Sequence, residues 1–113
     1  MSRARRANLD RTLAALADPQ RRAVVDLLRE RPHRAGELAD RVAISAPAMS
    51  RHLRTLREAG LVSEARSNDL DARVRVYALK TGAMSDLKDW LAETEQMWVD
   101  QLSAFKAHLE DRK

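Results

Sequence analysis

The residues best placed to do chemistry are arginines. In "SAPAMSRHLRTLREAG", residues 45–60, Arg51, Arg54 and Arg57 stand three apart with little acid beside them. A guanidinium stays charged at any physiological pH and presents a planar fork of donors that matches a phosphate or a guanine edge. Arginine is also a good helix former, so a merely solvated face is the bland alternative. No other group competes for a role. The chain has no cysteine, which excludes disulfides, thiolate metal sites and thiol redox sensing. His33, His52 and His108 have no nucleophile pattern or paired ligand spacing around them, and Gly36, Gly60 and Gly82 are too scattered to cradle phosphates. His108, with Glu110 and Asp111 nearby, reads as a solvated helix end. His52 reads as packed or hydrogen-bonded. The expectation is no enzyme, no cofactor and no metal.

Charge distribution favours a polyanion over plain solvation. Residues 1–80 hold 17 Lys+Arg against 10 Asp+Glu, whereas residues 81–113 hold 4 against 7. The basic part is expected to meet an anion while the acidic tail does something else. No apolar run approaches the ~20 residues that span a bilayer, and no apolar signal region follows "MSRARRANLD". A cytoplasmic protein of one domain, residues 1–113, is expected, without a membrane partner. Ser2 to Arg6 reads as a frayed arm, with a DNA contact as the alternative use of its arginines.

The elements that must position the arginines follow from apolar spacing and caps. Leu9, Leu13 and Leu16 recur at helical spacing. Asp18-Pro19 ends that helix and caps a second over about Pro19 to Glu30, with Val24, Val25 and Leu28 inward. "RPHRAG" reads as a loop. "GELADRV" gives a short helix with Leu38 and Val42 inward, and "AIS" a tight turn into a helix capped by Ser45. On that last helix Met49, Leu53, Leu56 and Gly60 share one side, while Pro47, Ser50, Arg51, Arg54 and Arg57 share the other. Gly60 suits a left-handed cap. "LVSEAR" and "RVRVYAL" alternate as two strands around the turn "SNDLDA". From about Gly82 a long helical pattern carries Leu87, Leu91, Thr94, Trp98, Leu102, Phe105 and Leu109 at intervals of three or four.

The expected fold is mostly α with a small β-hairpin wing. It is a winged helix-turn-helix, with the helix-turn-helix over about 36–60, the wing over 61–79 and a C-terminal helix over 82–110. Such a fold puts its second helix in the DNA major groove, N-terminal residues first. Ser45, Ala46, Pro47, Ala48 and Ser50 are small enough for close approach. Arg51 and Arg54 can then reach guanine edges or phosphates, and Arg57 phosphate.

At this point "LAALADPQRRAVVDLL", "GELADRV", "SAPAMSRHLRTLREAGLV" and "RVYAL" resemble bacterial ArsR-type winged-helix repressors, over about Leu9 to Leu79. The pattern is similar to the family's cysteine-free branch, with "ADPxRR" and "SxPAxSxHLxxLxxAGLV". The resemblance implies a homodimeric transcription factor, usually a repressor on promoter DNA. Three departures stand out. "ELADRV" replaces the Cys-x-Cys type motif of metal-sensing relatives. Ala46 is apolar where the family commonly has a polar residue, which moves base reading toward Ser50 and Arg51. The longer wing has Asp69 and Asp71 at its tip, which moves the expected phosphate contact to Arg66, Arg73 and Arg75.

Trp90, Trp98 and Phe105 complete a stripe too wide for a lone helix to bury. A ligand pocket is one use. The favoured one is a dimer interface formed by Leu87, Leu91, Trp98, Leu102 and Phe105 against the partner's last helix and Leu9, Leu13 and Leu16 of the first helix. Rival classes are a non-specific, chromatin-like DNA coat and a protein-interaction module with an acidic partner. The operator and any inducer are left open.

Overall fold

The computed structural model describes residues 1–66 and 74–111, and the backbone alone of Arg66. Arg73, Asp69 and Asp71 lie outside the described residues, as does the side chain of Arg66. Among the described residues five helices and three strands follow in order: α1 (Arg3–Leu16), α2 (Pro19–Glu30), β1 (His33–Arg34), α3 (Ala35–Val42), α4 (Ala46–Glu58), β2 (Val62–Arg66), β3 (Arg75–Leu79) and α5 (Ser85–Asp111).

The caps explain most boundaries. Asp18 accepts from the backbone N–H of Gln20 and Arg21, and Pro19 fills the first helical position of α2, where no donor is lost. The Ser45 hydroxyl accepts from the Ala48 N–H at 3.2 Å to start α4. At the other end of α4, Gly60 takes φ +76° while the N–H groups of Gly60 and Leu61 donate back to the carbonyls of Arg57 and Leu56. The turn between α3 and α4 is made by Ala43, a non-glycine residue held at φ 62°.

Between these caps the apolar faces close one core. Val24, Val25 and Leu28 of α2, Leu38 and Ala39 of α3, Met49, Leu53 and Leu56 of α4, and Leu61 and Val62 at the start of the wing are all buried in it. The pair α3 and α4 thus sits on a packed floor rather than on a loop.

Three expectations need correction. "RPHRAG" is not wholly a loop. His33 and Arg34 pair antiparallel with Tyr77 and Val76, which makes a three-stranded sheet of order β1-β3-β2 rather than a lone hairpin. His33 is buried there, and its Nδ1–H donates to the Arg31 carbonyl at 2.8 Å. The N-terminal arm is not frayed: α1 begins at Arg3, capped by the Ser2 hydroxyl accepting from the Arg5 N–H. The last helix starts at Ser85 rather than near Gly82, because Gly82 at φ +74° takes part in a turn that precedes it.

Helix α5 runs for 27 residues and has no buried residue. At ~1.5 Å per residue it is about 40 Å long. The molecule measures 73 × 30 × 21 Å, and its radius of gyration of 19.5 Å exceeds the ~13 Å of a compact chain of this length.

Candidate nucleic-acid interface

Helix α4 reaches the surface because two polar residues tie its far side to α2. His52 Nδ1 faces Arg21 Nη1 at 3.4 Å, and its Nε2 faces Gln20 Oε1 at 2.8 Å. A guanidinium can only donate, so Nδ1 accepts and Nε2–H donates to the amide oxygen. Arg21 also donates to the carbonyls of Ala15 and Ala14 at the end of α1, and Arg22 to those of Leu16 and Ala17. The "ADPQRR" segment therefore caps α2 through Asp18, closes α1 through its arginines and seats α4 through His52. The Asp18 carboxyl is held below its ordinary value, chiefly by the Arg21 N–H and further by the Gln20 N–H and the Arg21 charge, against the raising effect of desolvation.

With Met49, Leu53 and Leu56 turned in, the outer face of α4 presents Ala46, Pro47, Ser50, Arg51, Arg54 and Arg57, all exposed. Ser45 is exposed too, although its hydroxyl is committed to the cap. Among the described residues neither Arg51 nor Arg54 forms an ion pair. Small side chains at the leading end and two unpaired guanidinium groups behind them form a surface that can enter a groove and donate to base edges or phosphates.

Arg57 and Arg75 are placed differently. Both reach one carboxylate, Glu64 of β2: Arg57 Nη1 lies 2.9 Å from Oε2, and Arg75 donates to Oε1. Nothing in the sequence singles out Glu64, though strand alternation puts it on the same side as buried Val62. Tyr77 is its cross-strand neighbour. Burial first, and then the charge of Glu64, raise the Tyr77 phenol above its ordinary pKa. The wing's expected phosphate contacts are therefore reduced, among the described side chains, to an arginine already paired with an acid.

The proposed dimer residues also separate into two groups. Leu9 is buried at 5% exposure within its own chain, which removes it from a partner's reach. Leu16 and Leu87 are half-buried, and Leu16 packs against the core. Leu13, Leu91, Trp98, Leu102 and Phe105 are exposed, the last three by about 60%. Polar pairs join α1 to α5. Arg5 meets Asp86, Asp89 and Glu93 at 3.6, 3.7 and 3.2 Å, and Asn8 donates to Asp86 at 2.7 Å. These acids lie on a face of α5 turned away from the leucine and aromatic stripe.

A concavity lies apart from α4. It is a cleft of about 380 Å³ at the root of the wing, lined by Leu61, Leu79, Ala83 and Met84, with Lys80 and Lys88 at its rim. Among the described residues no three metal-donor side chains converge, and no helix is long and apolar enough to cross a membrane.

Comparison with known proteins points to one family. The model of the bacterial regulatory proteins of the arsR family matches residues 18–64, which span α2 through the start of the wing. The HTH-type transcriptional regulator Rv2034 of Mycobacterium tuberculosis is 34% identical over 85% of this chain and 83% of its own length. The transcriptional repressor SdpR of Bacillus subtilis is 31% identical over 74% of this chain and 88% of its own. Among solved structures, an ArsR-like transcriptional regulator from Rhodococcus sp. RHA1 superposes with a TM-score of 0.73 at 27% identity, covering 88% of this chain and 91% of that one.

Proposed function

The chain belongs to the ArsR family of bacterial regulatory proteins, and from that premise we propose that it is a homodimeric repressor acting on an inverted-repeat operator. As a member of the family it is a sequence-specific DNA-binding transcriptional regulator. The observation that carries the reading is the outer face of α4, where Arg51 and Arg54, without an ion pair among the described residues, stand beside small residues on a helix whose Met49, Leu53 and Leu56 are buried.

In this reading α4 enters the major groove with Ala46, Pro47 and Ser50 leading. Arg51 and Ser50 read base edges, and Arg54 takes a base edge or a phosphate. Arg57 and Arg75 contribute to phosphate contact only in so far as Glu64 releases them. The partner is a second copy of the chain. The exposed stripe of α5 needs a cover, and a two-fold pairing with Leu13 at its edge would set two α4 helices on one face of the DNA. Half-site centres would then lie about 34 Å apart, or a multiple of it. The cytoplasm, where promoter DNA lies, is the compartment of such a protein.

The test is selection of genomic fragments by the purified protein, followed by competition between the selected site and random DNA. A preference of ~10³ or more for a two-fold symmetric site supports the reading. Equal binding of both DNAs would leave a chromatin-like coat, and no binding at low salt an acidic protein partner.

A further inference from the structure

A surface meant for phosphate should not contain a fixed acid, yet Glu64 lies between two of its arginines. Its side chain is only 13% exposed, whereas those of Arg57 and Arg75 are 50% and 63% exposed. Each oxygen meets one guanidinium, so both carboxylate oxygens are engaged while both cations keep an open side. Arg57 comes from the last turn of α4 and Arg75 from the first residue of β3. Across the sheet, Tyr77 backs the carboxylate. The group therefore sits where the recognition helix and the wing meet, and it cancels about one of two positive charges there.

We propose that Glu64 is a built-in phosphate surrogate that keeps Arg57 and Arg75 out of non-specific DNA contact and yields them only when α4 is seated in its operator. The proposal rests on the reading that the outer face of α4 meets DNA. Non-specific binding comes almost wholly from cations that displace counterions from phosphate. An arginine held by a largely desolvated carboxylate displaces none until that charge-assisted bond is given up. On random DNA nothing offsets the exchange. On the operator, base contacts from Arg51 and Ser50 hold the helix in place and bring phosphates close enough to compete. Glu64 is thus a positioning residue for discrimination and not a contact itself.

The experiment compares the full chain with Glu64→Gln, measuring affinity for operator and for random duplex across a salt series. Glutamine keeps the shape and the acceptor but not the charge. Freed arginines should raise random-DNA affinity roughly tenfold and steepen its salt slope by about 0.9 for each arginine released. Operator affinity should rise less, so the preference falls. Replacing Arg57 and Arg75 by glutamine in the Glu64→Gln background should remove the gain. Should Glu64→Gln not fold, Glu64→Asp keeps the charge but is too short to span both arginines, and it should give a smaller change of the same sign. Unaltered random-DNA affinity and slope would overturn the proposal. So would weakening on both DNAs together, as for a simple brace, or an equal gain on both, as for bulk charge. Arg51→Ala serves as the control for the docking itself: if that variant binds the operator as tightly as wild type, the docking of α4 has failed independently of Glu64.

Discussion

Helices α4 and α5 are both amphipathic, and the molecule uses them in opposite ways. On α4 the apolar side is sealed, with Met49, Leu53 and Leu56 at 1%, 2% and 0% exposure, and the arginines face out. On α5 part of the acidic side is taken up by Arg5, while Trp98, Leu102 and Phe105 face out at about 60%. One helix offers charge on a rigid floor; the other offers apolar surface with no floor of its own. In the reading proposed above, the first meets a polyanion and the second another copy of the protein.

The largest expected effect breaks the α5 side alone. Trp98→Glu with Leu102→Glu should give monomers that keep the fold, because both side chains are about 60% exposed and neither belongs to the buried core. Operator affinity should fall by at least about 100-fold, the gain that linking two half-site contacts confers. Light scattering beside a binding curve checks it, and a monomer with wild-type affinity would end the dimer reading. Next comes the α4 side. Arg51→Ala should cost roughly 1–3 kcal/mol at one base position and relax the preference there, without altering the oligomeric state. Selection of bound sequences with the variant reads this directly.

Much of this contrast was legible in the sequence. Asp18-Pro19, Ser45 and Gly60 mark helix ends by chemistry that acts within a few residues, and the Met49–Leu53–Leu56 spacing names its own buried face. What escaped depends on distant partners. His33 and Arg34 have no alternation of their own and become a strand only because Tyr77 and Val76 come alongside. Arg5 looked like a loose arm because the three acids that hold it are on α5. Glu64 could have been found, since its phase with Val62 turns it inward, but a lone acid near a chain reversal reads as ordinary surface. Leu9 shows the reverse error: its spacing fits a partner-facing stripe, whereas its own chain buries it.

A smaller effect sharpens how α4 is seated. Asp18→Ala removes the acceptor for two backbone donors of α2 and should lower the thermal midpoint at neutral pH. The Asp18 pKa is lowered in the folded state, so its contribution is complete above the ordinary value of 3.8 and disappears as pH falls through the folded value. The midpoints of wild type and variant should therefore converge in acid; a gap that persists there would mean the loss is not electrostatic. The smallest effect lies at the turn into α4. Ala43→Gly relieves a left-handed residue that costs about 1–2 kcal/mol, against about 0.4–1 kcal/mol of added freedom in the unfolded chain. Stability should rise by about 0–1.6 kcal/mol in urea unfolding, with DNA preference untouched.

The pairing of β1 with β3 has a consequence in time. It ties residue 33 to residue 77, with α3, α4 and β2 all lying between them in the chain. Closing so long a loop is entropically slow, whereas the helices and their turns need only near neighbours. On the ribosome, α2, α3 and α4 can form and collapse while β3 is still unmade. Leu79, which packs on the core, arrives with that last strand. Helix α4 is thus assembled early, and its wing is latched to it only once β3 has been made, with α5 still to follow.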